Sequence, residues 1–169
     1  PRGNTEAEIL ACLRRGLAAE GTHPTGAVYF VMSDDIRSRC RSWQFPSAAR
    51  ALHSTTLDVR VTRRFPAGKD AVMGVMMGGA SVRPERIGGF LPGAMAEHLT
   101  SFAGDFSHGH QTKLSAWIAA GATASAGTVS EPYSLPAKFP MARFYAFYAS
   151  GCTMLESFAQ AIACPLQIV

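Results

Sequence analysis

Ala27-Val28-Tyr29-Phe30-Val31-Met32 is an unbroken apolar run held between Gly26 and Ser33-Asp34-Asp35. A strand with one wet face alternates apolar and polar residues. A run without alternation is buried on both faces, as in a parallel sheet covered by helices. Parallel strands need long crossovers, so such a run implies helices packed on the sheet. Leu57–Thr62 and Asp70–Met77 read as further strands, the latter running into Gly78-Gly79-Ala80-Ser81. Ala94–Thr100 fits a fourth strand or the start of a helix after Pro92, and Ala122–Ala126 fits a short strand of small residues.

Helical patterns alternate with these runs. Thr5 and Glu8 form a capping box ahead of Ile9, Leu13 and Leu17, an apolar stripe with Leu10 beside it, closed by Gly21. Helices are also predicted over Pro46–His53, around Leu114, Trp117 and Ile118, over Pro140–Ala149, and over Thr153–Ala163 behind a second capping box, Thr153 and Glu156. The pattern predicts a single α/β domain over residues 1–169, a three-layer αβα sandwich with a mostly parallel sheet and Rossmann-like architecture.

Composition narrows the function classes. A hydrophobic content of 47% over 169 residues suits one core, and 17% charged residues is too few for charge-driven disorder. The net charge of +4 is mild, and the arginines at 37, 39, 41, 63 and 64 read as solvated faces, so no nucleic-acid partner is expected. No apolar run reaches the about 18 residues of a membrane-spanning helix. The start at Pro1 and the strand-like Leu166–Val169 are expected of a piece of a longer chain. Cys12, Cys40, Cys152 and Cys164 lack C-x-x-C spacing, which argues against a cysteine zinc site. Cys40 follows an arginine-rich stretch that favours a thiolate, and Cys152 precedes a helix start, yet neither has a histidine nearby in sequence.

Ligand sites in open parallel sheets form at the C-terminal strand ends, here the loops after Met32, Met77, Thr100 and Ala126. Asp34 and Asp35 suit a helix N-cap better than a cation, which needs more oxygen donors. Gly78-Gly79 lacks the P-loop and dinucleotide spacings, so no cofactor is expected. The densest polar stretch runs Glu97-His98-Leu99-Thr100-Ser101, then Asp105, Ser107, His108 and His110. It suggests a hydrolase site with Ser101 as nucleophile, His98 or His108 as base and Glu131 as orienter, although the G-x-S-x-G elbow is missing. His108 and His110, with Asp105, form an alternative metal site.

A set of motifs occurs in order: Leu91-Pro92-Gly93-Ala94, Glu97-His98-Leu99-Thr100-Ser101-Phe102, Ala120-Gly121-Ala122, Gly127-Thr128-Val129-Ser130-Glu131-Pro132 and Lys138-Phe139-Pro140, with Gly151, Glu156 and Pro165 behind them. They resemble a family of uncharacterised bacterial proteins. The resemblance implies an exported or cell-envelope location and a continuation into a Gly-Asp-Pro-Leu segment. More distantly, the layout resembles the caspase–gingipain superfamily of cysteine peptidases. In that superfamily one strand ends in Gly-His-Gly with the catalytic histidine, and the next ends at the nucleophilic cysteine. Those positions fall near Gly78 and Ser101, so neither catalytic residue is present. The resemblance therefore implies a caspase- or gingipain-like fold without the Cys–His dyad. The function expected of it is non-catalytic binding of a protein or peptide, with a sheet edge as the docking place and the Ser101 hydrolase and the histidine metal site as alternatives.

Overall fold

A computed structural model describes residues 3–107 and 109–169. Gly26–Val31 (β1), Leu57–Thr62 (β2), Val72–Gly78 (β3) and Phe90–Leu99 (β4) form a four-stranded sheet in the order β2-β1-β3-β4. All three pairings are parallel. The apolar run over residues 27–32 becomes the central β1, with Val28 and Phe30 fully buried on the same face, each flanked by β2 and β3. Burying each of these side chains contributes about 1.5–3 kcal/mol.

The helices are Glu6–Ala19 (α1), Ile36–Ser42 (α2), Phe45–Ala51 (α3), Leu114–Ala119 (α4), Phe144–Ala149 (α5) and Met154–Ala161 (α6). Two apolar clusters flank the sheet. One joins Val28, Phe30, Met73 and Met76 to Phe45, Leu52, Phe144 and Tyr145, with the Phe30 ring stacked 5.0 Å from Phe45. The other joins Tyr29, Val31, Val75 and Ala96 to Ile87 and Trp117. Helices and a parallel sheet make this an α/β fold.

Several elements differ from the sequence pattern, each for a local reason. Residues 94–99 belong to a strand that begins already at Phe90, because β3 supplies its ladder, and Thr100 lies just beyond its end. Ala122–Ala126 makes only an isolated bridge, Met95 with Ala124, and the chain end forms a short 3-10 turn over Pro165–Gln167 with an antiparallel bridge from Ile168 to Thr128. Helix α2 has no apolar stripe to announce it; Asp35 caps it by accepting the Arg37 N–H at 2.9 Å.

Helix α1 is turned over. Ile9, Leu13 and Leu17 are 50%, 60% and 70% exposed, and no residue of the helix is buried. Its inner side carries donors instead. Arg15 gives N–H groups to the carbonyls of Ile118 and Ala122, at 3.1 and 2.9 Å, and Cys12 Sγ lies 3.0 Å from the Thr123 carbonyl. These carbonyls lie at the end of α4 and just beyond it, and the bonds they accept fix which side of α1 faces in.

Candidate functional site

The chain leaves β1 toward β2 and leaves β3 toward β4, so the order reverses between β1 and β3. Sheets of this kind hold ligands in the crevice at that reversal. Here α2 fills it. Gly78 lies so close to the backbone of Arg37 and Ser38 that any Cβ would collide with it. Ser38 is fully buried and its Oγ accepts the Ser33 N–H at 2.8 Å.

Arg41 anchors the plug. Its guanidinium has no exposure and donates to the Met77 carbonyl at the end of β3. Nη1 lies 2.5 Å from Glu97 Oε1 on β4 and 3.4 Å from the Pro140 carbonyl. Burial pushes the Glu97 carboxyl up to about 7, against the pull of Arg41. Tyr145 Oη donates to the Met95 carbonyl at 2.8 Å, and burial raises that phenol well above its ordinary value. Desolvation offsets much of the attraction in a buried pair of this kind, so its net contribution to stability is small.

The polar stretch that begins at Glu97 is split by the pleat. Successive strand residues point to opposite faces, so Glu97 meets Arg41 while His98 meets α4. His98 is fully buried. Its Nδ1 accepts the Trp117 indole N–H at 2.9 Å, and its Nε2 donates to the Thr112 carbonyl at 3.1 Å. Burial, helped by the nearby Arg41 charge, lowers its pKa to about 3, so the ring is neutral. Both nitrogens are engaged, and no lone pair is free to take a proton from Ser101.

Ser101 lies just past the end of β4 and is half-buried; among the described residues its Oγ makes no hydrogen bond. Its carbonyl and that of Thr100 lie 2.8 and 2.9 Å from Thr128 Oγ1, which shares one proton between them. Gln111 Oε1 accepts both Thr100 Oγ1–H and the Phe102 N–H at 2.8 Å. Lys113 Nζ donates to the Phe102 carbonyl at 2.6 Å, and burial lowers its pKa. The 100–102 turn is thus fixed by Gln111, Lys113 and Thr128; Thr128 lies in the loop after Ala126 that the sequence pointed to, whereas Gln111 and Lys113 carried no pattern.

Glu131 folds back on its own loop, its Oε1 accepting the Tyr133 N–H at 2.9 Å, and among the described residues no hydrogen bond joins it to Ser101 or His98. His108 lies outside the described residues. His110 is exposed, and Asp105 accepts the Ser107 N–H and hydroxyl at 2.8 and 2.6 Å. Among the described residues no group of three His, Cys, Asp or Glu side chains converges for a metal. The four cysteines are free thiols, and burial pushes Cys40 up, outweighing the arginine beside it.

No family model, curated protein or solved structure matches the chain. The ends of β3 and β4 are adjacent, joined beyond the sheet by Gly79 N–H donating to the Leu99 carbonyl at 3.1 Å. A nucleophile and base on neighbouring strand ends would meet there. The residues present are Gly78, Gly79 and Ser101.

Proposed function

We propose that this is a caspase- or gingipain-like α/β domain without a working dyad, which binds a protein or peptide rather than cutting it. The observation that carries the reading is the state of His98. A serine nucleophile needs a base with a free lone pair within hydrogen-bond reach, and the imidazole nearest Ser101 in sequence is spent on Trp117 and Thr112 inside the core. The plugged crevice supports the same reading, since Arg41 and Ser38 occupy the place where a small substrate would sit.

Selection of a displayed peptide library on the purified domain tests it. The expected result is an enriched consensus that binds Ser101→Ala as tightly as the parent and is recovered intact. Cleavage of the bound peptide that disappears in Ser101→Ala would replace this reading with the serine hydrolase. Failure to enrich any peptide would remove it.

A further inference from the structure

A binding domain of this architecture has two places where an extended chain can add to the sheet, and one is taken. Beside β4, Ala96 N–H donates to the Ala124 carbonyl at 3.1 Å, while Thr123 and Ala124 donate to the Ala94 carbonyl at 2.8 and 3.1 Å. That segment covers the β4 edge. Strand β2 pairs only with β1 among the described residues.

The orientation of β2 says which groups are open. The Thr62 carbonyl accepts the Met32 N–H at 2.8 Å, so Thr62 faces β1. By strand alternation Arg60 and Asp58 face it too, and Leu57, Val59 and Val61 turn their backbone groups outward. The Leu57 N–H is taken by Thr55 Oγ1 at 3.3 Å. Val59 and Val61 have no such partner among the described residues, and each presents one N–H and one C=O at an edge.

The charge at the C-terminal end of that edge selects the guest. Arg63 and Arg64 follow β2 there, and Arg63 meets Asp34, on which Arg39 also acts. Arg63 pairs with Asp34 at 2.7 Å and Arg37 with Asp35 at 3.3 Å. Arg39 also acts on Asp34, helping Arg63 to hold its carboxyl below the ordinary range. Arg39 and Arg64 are exposed and have no carboxylate of their own among the described residues, so the corner keeps a positive surplus. Asp58 is held by Arg60 and does not offset it. Charges on an edge also deter chance pairing, but a surplus of one sign repels basic chains and attracts acidic ones.

We propose that β2 is the docking edge and that its guest is an acidic peptide in extended form, added as a fifth strand along Val59 and Val61 with its carboxylates toward Arg39 and Arg64. This rests on the binding reading above and names the partner's chemistry.

Fluorescence anisotropy with a labelled peptide of alternating valine and glutamate tests it. Two companions carry the logic: alternating valine and lysine, and proline alternating with glutamate at equal charge. The valine–glutamate peptide should bind alone, and weaken about tenfold in the Arg39→Glu, Arg64→Glu double variant and as salt rises. Val61→Pro removes an outward N–H without touching the β1 ladder, and proline is tolerated on such an edge; it should abolish binding while the domain still melts cooperatively. Equal binding of the proline–glutamate peptide would overturn strand addition whether or not Val61→Pro folds. Binding of the valine–lysine peptide in place of the acidic one would overturn the charge assignment and leave the binding reading standing. Binding of none of the three, with library-selected peptides attaching elsewhere, would overturn the edge alone; no binding by any peptide would overturn both.

Discussion

Trp117 donates its indole N–H to His98 Nδ1 at 2.9 Å, and the pair ties β4 to α4 across a fully buried interface. A histidine held this way is a core residue with a titration attached to it. Unfolded, its imidazole takes a proton near pH 6.5; folded, only near 3. The unfolded chain binds the extra proton between those values, so His98 costs the fold about 1.4 kcal/mol per pH unit as pH falls through that window.

Glu97, next in the strand, runs the other way. Its folded carboxyl takes a proton near 7 and its unfolded one near 4.5, so acidification over that range favours the fold. The two effects offset each other between about pH 6.5 and 4.5, and below that His98 acts alone. Urea unfolding of the parent and of His98→Gln isolates the histidine. Their stability difference should change by about 1.4 kcal/mol per pH unit from pH 6.5 toward 3, the parent losing ground as acid rises. A difference that does not vary with pH would contradict the buried neutral ring.

Gly74 on β3 lies under the Tyr145 ring, where any Cβ would overlap the phenol. Gly74→Ala should cost about 1–3 kcal/mol as an overpacked contact. The cost should shrink in a Tyr145→Leu background, since neighbours that share a contact are not additive. Thermal melts of the four proteins check it, and equal costs in both backgrounds would place Tyr145 elsewhere.

Val28 is fully buried between β2 and β3. Val28→Asp forces an unpaired carboxylate into that layer and should cost about 4–5 kcal/mol. A melting temperature within a degree or two of the parent would contradict the central placement of β1.

Thr153 caps α6, its Oγ1 accepting the Glu156 N–H at 3.2 Å, and Glu156 Oε2 accepts the Thr153 N–H at 2.8 Å in return. Thr153→Ala should lower stability by about 1 kcal/mol by urea midpoint. No loss would mean that the helix takes its cap from another residue.

Much of the fold was legible because its signals are local. The run over 27–32 could not alternate, so it had to be a central strand, and both capping boxes fall where their residues predict helix starts. Helix α1 shows the limit: its stripe marks a helix but not which way it faces, and here Arg15 and Cys12 decide that by reaching carbonyls more than a hundred positions away. The site was less legible for the same reason. Spacing placed Glu97, His98 and Ser101 together, whereas the pleat sends the first two to opposite faces. The partners that define them, Arg41, Trp117 and Thr112, come from other elements. Arg41 had a signal of a kind, since Arg37 and Arg41 are one helical turn apart, but only the fold reveals that the turn packs against Gly78 and Glu97.

Without an activated nucleophile at the strand ends, Ser101 should not react with an electrophile. Incubating the native domain with a fluorophosphonate probe and mapping adducts by mass spectrometry tests it most directly. The expected result is an unmodified Ser101, because both His98 nitrogens are engaged and, among the described residues, no imidazole hydrogen-bonds its hydroxyl. A stoichiometric adduct on Ser101, lost on heat denaturation of the domain before labelling, would contradict it.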